Sequence, residues 1–178
     1  RREARIDLSG EAAILFTSGV SGRPKGAILT YGNLWCSAIA SALHFGHRPD
    51  DVWLAAMPLF HIGGIAILLR GVIGAAPVVL HDRFDPRRAL EAIDAGATMV
   101  SLVPTMLDRM LALRAGAAWP PHLRGVLLGG SAAPPRLIAE CVRLGVPVAP
   151  TYGLTEAASQ VATLLPEQVP LRPGASGR

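Results

Sequence analysis

Short apolar runs alternate along this chain with longer segments whose apolar residues recur at helical spacing. Residues 11–17 (EAAILFT), 27–30 (AILT), 51–57 (DVWLAAM), 76–80 (APVVL), 97–103 (ATMVSLV), 125–130 (GVLLGG) and 146–153 (VPVAPTYG) read as strands. Between them, 31–46, 65–74, 86–96, 105–114 and 136–145 read as helices. Punctuation supports the helix starts and stops. Asp85 caps a helix opened by Pro86 and stopped at Gly96, Pro104 starts the next, and Pro134 with Pro135 opens the segment that closes at Gly145. Alternating strand and helix, with strands apolar on both faces, predicts an α/β layered fold with a largely parallel, buried sheet flanked by helices. No internal repeat or low-complexity tract interrupts it.

Composition narrows the classes. At 178 residues and 51% hydrophobic content, the chain is long enough for one globular core and is not of disordered composition. The net charge of +4 is not gathered into a stripe: Arg1, Arg2 and Arg5 crowd one end and the other arginines lie among acids, which argues against a nucleic-acid face. Residues 62–80, IGGIAILLRGVIGAAPVVL, approach the length of a membrane span, but Arg70 near the middle, the glycines and Pro77 argue for a buried helix followed by a buried strand. The amino end has charge but no apolar signal core, so a cytoplasmic location without membrane insertion is expected. Cys36 and Cys141 lie far apart in hydrophobic contexts and read as buried free thiols. His44, His47, His81 and His122 stand in no chemical context and read as structural or exposed.

Ligands in such folds gather beyond the carboxyl ends of the strands. The segments TSGVSGRPKG (17–26), GGSAAP (129–134) and YGLTE (152–156) each follow a strand, which predicts a shared rim. In the first, glycine backbone N–H groups and serine hydroxyls can converge on an anion, and Lys25, the only lysine among 17 basic residues, supplies a point charge. A solvent-exposed hairpin is the alternative. A Walker A loop is excluded, because Pro24 rather than glycine precedes Lys25. In YGLTE, Thr155 and Glu156 offer a hydroxyl and a carboxylate for Mg²⁺ against phosphate oxygens, and Tyr152 offers a face to a base. Glu156 as the cap of a helix beginning AASQ is the alternative there.

Taken in order, TSGVSGRPKG, PLFHIGG, GGSAAP and YGLTE resemble the successive core motifs of the adenylate-forming superfamily of acyl-CoA synthetases, luciferases and peptide-synthetase adenylation domains. Within it, TYGNLWCSAIASAL, WLAAMPLFHIGGIAILLRGVI, TMVSLVPTML and YGLTEAASQVATLLPE are most similar to the o-succinylbenzoate:CoA ligases of menaquinone biosynthesis. The resemblance implies an enzyme that joins a carboxylate to AMP from ATP and passes the acyl group to CoA, with Mg²⁺. It implies that Thr17, Ser18, Gly19, Ser21, Gly22 and Lys25 hold the β- and γ-phosphates, with Thr155 and Glu156 serving phosphate and metal. Gly129, Gly130, Ser131 and Ala132 then line the adenine and acyl pocket, Tyr152 and Gly153 lie against the base, and His61 and Gly63 face the acid. Two positions depart from the pattern: Val20 stands where a serine or threonine is usual, and Gly63 where these ligases commonly have serine. The resemblance further implies that residues 1–178 are the central part of the large ATP- and acyl-binding domain, without the small carboxyl-terminal domain, so that this stretch alone is incomplete for thioester formation. Small molecules (the acid, ATP and CoA) are the expected partners, and homo-oligomerisation is left open. A ligase for another aryl or fatty acid, and a non-catalytic nucleotide-binding module, remain as alternatives.

Overall fold

The computed structural model describes residues 5–18 and 23–177. Two sheets organise it. Strands β1 (Glu11–Ser18) and β2 (Pro24–Thr30) form an antiparallel pair. The second sheet holds β3 (Trp53–Ala55), β4 (Val78–Leu80), β5 (Met99–Leu102), β6 (Gly125–Leu128), β7 (Val148–Leu154) and β8 (Ser159–Thr163), in the order β4-β3-β5-β6-β7-β8. All its pairings are parallel except that of β8 with β7. Helices α1 (Tyr31–Phe45), α2 (Ile62–Gly74), α3 (Pro86–Asp94), α4 (Pro104–Arg114) and α5 (Pro135–Arg143) connect the strands. This is the mixed α/β, mostly parallel architecture that the alternating pattern predicts.

Strands β3, β5 and β6 are buried on both faces because their side chains serve two cores. Leu54, Val100, Leu102, Val126, Leu128 and Val148 point into one, with Ala89, Ile93, Leu107, Met110, Leu137 and Cys141 from α3, α4 and α5. Their neighbours Trp53, Ala55, Met99 and Leu127 point into the other, with Ile67 of α2. A third cluster, Leu15, Leu29, Leu34 and Ala158, seals the β1–β2 pair onto α1 and α2. Burying so much apolar side chain is what makes the continuous apolar runs of β5 and β6 favourable.

The termini of the elements follow the local chemistry. Asp85 Oδ1 accepts from the backbone N–H groups of Arg87 at 2.9 Å and Arg88 at 3.0 Å, capping α3. Thr30 and Asn33 cap α1 reciprocally. Asp51, two residues before β3, and Thr98 and Arg124, immediately before β5 and β6, tie the amino-terminal edge of the sheet together. The Asp51 carboxylate accepts from Arg124 at 2.7 Å, Thr98 at 3.0 Å and the Arg48 N–H at 2.9 Å. Burial alone would raise the Asp51 pKa, but the hydrogen bonds from Arg124, Arg48 and Thr98 outweigh it and hold the carboxyl below its usual value.

Four expectations change. The opening strand is not part of the parallel sheet: β1 pairs antiparallel with β2, its neighbour in sequence. The AASQ segment does not begin a helix; Thr155–Ala157 is a single 3-10 turn and Ser159 opens β8, because pairing with β7 satisfies its backbone. APVVL is not a buried strand but the sheet edge, with Val79 and Leu80 exposed. Cys36 is exposed on α1, whereas Cys141 is buried, its thiol pushed up to about 12 by burial and by Glu140.

Candidate active site

The carboxyl ends of β3, β5, β6 and β7 converge on a cavity of about 480 Å³. Met57 follows β3, Ser101–Val103 end β5, Gly129 and Gly130 follow β6, and Thr151, Gly153 and Thr155 come from the end of β7 and the turn after it. The hairpin closes one side through Phe16 and Thr17, and the amino end of α2 closes another through His61, Ile62 and Gly63. Strand β2 packs against the Thr155–Ala157 turn, which brings the two polar segments together. The predicted common rim therefore exists, although the hairpin reaches it from outside the parallel sheet.

The predicted residues divide by their place relative to this cavity. Thr17, His61, Gly63, Gly129, Gly130, Gly153 and Thr155 line it. Lys25 is exposed on β2, paired in register with Thr17, whose hydroxyl donates to the Lys25 carbonyl at 3.4 Å. Glu156 is exposed beside Thr155, while Ser131, Ala132 and Tyr152 are exposed and do not line the cavity. Ser18 ends β1. Gly19, Val20, Ser21 and Gly22 lie outside the described residues.

Local geometry explains why glycine recurs on this rim. Gly130 has φ +80, in the left-handed region, and turns the chain away from the end of β6. A Cβ at Gly153 would stand 2.0 Å from the Ser159 carbonyl oxygen, so only glycine allows β7 and β8 to approach there. His61 precedes the first residue of α2 without capping it by its side chain, and its ring tilts against Phe60 with centroids 4.6 Å apart. A Cβ at Gly63 would meet Met57 Cε at 2.8 Å, so the Met57 side chain fills the space that a larger residue there would need.

The structure adds Arg70, which sequence reasoning used only against a membrane span. Arg70 lies two helical turns beyond Gly63 on α2, on the same face, and lines the cavity with only 6% of its surface exposed. Its Nη2 donates to Gln160 Oε1 at 2.7 Å, it reaches Ser159 Oγ at 3.4 Å, and its guanidinium lies 5.3 Å from the Trp53 ring centroid. No carboxylate pairs with it among the described residues, and its buried Nε has no partner among them. Burial pushes its pKa down to about 10, so it remains a cation near neutrality. A lone charge in the apolar run 62–80 was the signal that could have found it.

No group of three or more His, Cys, Asp or Glu side chains able to hold a metal occurs among the described residues. Magnesium bound through substrate phosphates needs no such cluster, and Glu156 with Thr155 is the kind of sparse oxygen set that such a site uses.

The sequence model of the AMP-binding enzymes matches residues 2–178. The chain belongs to the AMP-binding enzyme family. Among curated members of this family, a 2-succinylbenzoate–CoA ligase of Geobacillus kaustophilus is 48% identical over 173 residues, 97% of this chain and 35% of the relative. The corresponding ligase of Bacillus cytotoxicus is 41% identical over 177 residues, covering 99% of this chain and 37% of that protein. Among solved structures, o-succinylbenzoate coenzyme A synthetase from Bacillus subtilis in complex with ATP and magnesium ion superimposes with TM-score 0.93 at 41% identity, over 100% of this chain and 37% of that one. The same enzyme with its acyl-adenylate intermediate gives TM-score 0.91, over 97% and 36%. The chain thus spans about a third of the length of the relatives it matches. No described helix is long and apolar enough to cross a membrane.

Proposed function

We propose that this chain forms the central, ATP- and acyl-binding part of an AMP-forming acid:CoA ligase whose acid is o-succinylbenzoate, a precursor in menaquinone biosynthesis. In the first step a carboxylate oxygen attacks the α-phosphorus of ATP and pyrophosphate leaves. In the second, the CoA thiol attacks the acyl carbon and AMP leaves with the electron pair. The observation that carries the reading is Arg70: a buried cation without an acidic partner among the described residues, on the wall of the cavity that Thr17, Gly130 and Thr155 also line. o-Succinylbenzoate has two carboxylates, of which one reacts and the other needs a counter-charge in a site shielded from water. The names of the relatives point to the same acid.

The remaining roles are those that the family resemblance implies. Thr17, Ser18, Gly19, Ser21, Gly22 and Lys25 hold the β- and γ-phosphates. Glu156 and Thr155 hold Mg²⁺, which supplies neutralisation of phosphate charge. Gly129 and Gly130, with Ser131 and Ala132 beyond them, accommodate adenine and acyl groups; Tyr152 and Gly153 lie on the base side, and His61 and Gly63 on the acid side. Catalysis then rests on charge neutralisation and in-line placement rather than on a covalent protein intermediate. Free thiols at Cys36 and Cys141 fit work in the reducing cytoplasm.

ATP–pyrophosphate exchange in the complete gene product, across a panel of acids, tests the reading. Exchange that depends on o-succinylbenzoate, and falls at least about a hundredfold in Lys25→Ala and Glu156→Ala, is expected, since each removes a charge contact to the transition state. Exchange with benzoates or fatty acids alone assigns another acid, and no exchange with any acid assigns a nucleotide-binding module.

A further inference from the structure

We propose that Gln160 is the positioning residue of Arg70, and through it a determinant of selectivity for acids that carry a second carboxylate; the inference rests on the acid-activating reading above. Among the described residues, Arg70 is held by neutral groups alone: the Gln160 amide oxygen at 2.7 Å, the Ser159 hydroxyl at 3.4 Å and the face of Trp53 at 5.3 Å. A carboxylate at position 160 would fix the guanidinium equally well but would cancel its charge. An amide fixes it and leaves the positive charge free for an anion in the cavity.

The amide has one orientation, and the reason lies in its other partner. A guanidinium has no acceptor, so Oε1 must face Arg70 and Nε2 must face away. Nε2 donates to Thr163 Oγ1 at 2.7 Å. Thr163 Oγ1 lies 2.8 Å from Thr151 Oγ1, and the Thr151 hydroxyl donates to the Ala162 carbonyl at 3.1 Å. With the Thr151 proton committed to that carbonyl, the Thr163 hydroxyl donates to Thr151 and keeps a lone pair for Gln160. The chain of bonds thus runs from the sheet to the cavity wall with every proton assigned.

The backbone is shaped to the same end. Successive residues of a regular strand face opposite ways, yet Ser159 and Gln160 both reach Arg70. The β7–β8 register shifts between Tyr152 and Gly153, and Ser159 has φ +112, a conformation that L residues rarely adopt. Irregularities of this kind re-aim a side chain, and backbone held there by its surroundings is found at functional sites. Gly153 makes the approach feasible, as the 2.0 Å separation from a Cβ to the Ser159 oxygen requires.

The test is steady-state kinetics of the complete gene product with o-succinylbenzoate and with benzoylpropionate, the same acid without its ring carboxylate. Gln160→Leu is expected to raise KM for o-succinylbenzoate about tenfold, with kcat changed less than about twofold and KM for benzoylpropionate unchanged, as loss of one charged hydrogen bond implies. Gln160→Glu is expected to raise it further, about a hundredfold, by cancelling the charge; it also carries the test if the leucine variant fails to fold. A purely structural role would move both acids alike, and that result, or no change for either, overturns the proposal. Arg70→Met separates the two claims. If it leaves the preference between the acids intact, the reading of Arg70 as the carboxylate's partner falls; if it removes the preference while both Gln160 variants keep it, only the positioning role falls.

Discussion

Replacing Arg70 by methionine should leave the protein nearly as stable as it is while removing its grip on a dicarboxylic acid. Arg70 costs the fold something: burial lowers its pKa from 12.5 to about 10, which at 1.36 kcal/mol per pH unit is a penalty of about 3 kcal/mol for keeping the charge at neutral pH. Against this stand the bond to Gln160 and the contact with the Trp53 ring, each contributing about 2 kcal/mol in a desolvated setting. Methionine keeps the length and apolar stem, ends the desolvation penalty, and leaves the Gln160 oxygen without its donor, a cost of about 1–3 kcal/mol. With the lost Gln160 bond counted once, through the oxygen it leaves bare, the losses of about 3–5 kcal/mol stand against about 3 kcal/mol regained, so the change in unfolding free energy should lie within about 2 kcal/mol of zero, read from urea denaturation midpoints. Acid-dependent pyrophosphate exchange with o-succinylbenzoate should fall about a hundredfold or more, as loss of a buried charge pair with substrate implies. A loss of stability above about 4 kcal/mol would assign Arg70 to the fold, since only a mechanism such as breaking a buried hydrogen-bond network costs that much. Undiminished exchange would refute its part in binding.

Asp51→Asn should destabilise the protein by about 3 kcal/mol, because Arg124 is then left without its counter-charge at the base of β6. The wild-type carboxyl is held below its ordinary value, so its contribution is present above about pH 4, where the unfolded group ionises, and is lost as pH falls through the folded value. Denaturation midpoints measured from pH 6 down to pH 3 should accordingly fall more steeply in the wild type than in the variant, and parallel curves would contradict the assignment. Gly153→Ala should destabilise by about 2 kcal/mol or more, because the added Cβ meets the Ser159 backbone; an unchanged midpoint in the same assay would refute that close approach. Gly63→Ser should displace the Met57 side chain from the contact that a Cβ at 2.8 Å demands, seen as a raised KM for the acid with stability within about 1 kcal/mol of wild type; an unchanged KM would show that this wall of the cavity does not meet substrate.

The elements were legible because local chemistry and tertiary packing agree along most of the chain. Asp85, Pro104 and Pro135 mark helix starts that the structure uses, and the all-apolar β5 and β6 are buried on both faces as their composition requires. What escaped depends on partners rather than on local pattern. The AASQ segment reads as the start of a helix until β7 is available to pair with Ser159–Thr163, and Cys36 reads as buried until the exposed face of α1 is known. The opening hairpin is written in sequence as two short apolar runs, but that they pair with each other and not with the parallel sheet is decided by packing of Leu15 and Leu29 on α1 and α2. At the site, the motif glycines and threonines were visible as segments following strands. Arg70 and Gln160 were not, since they come from different elements and become a pair only when α2 packs beside β8.

The central claim is that this cavity holds an acyl-adenylate whose unreacted carboxylate meets Arg70. A crystal structure of the complete gene product with a sulfamoyl analogue of the o-succinylbenzoyl adenylate measures this directly. The account predicts that carboxylate within about 3 Å of the Arg70 guanidinium, at charge-assisted hydrogen-bond distance, with Arg70 still bonded to Gln160. An analogue bound with the carboxylate in solvent or on another cation, and Arg70 facing no anion, would contradict it.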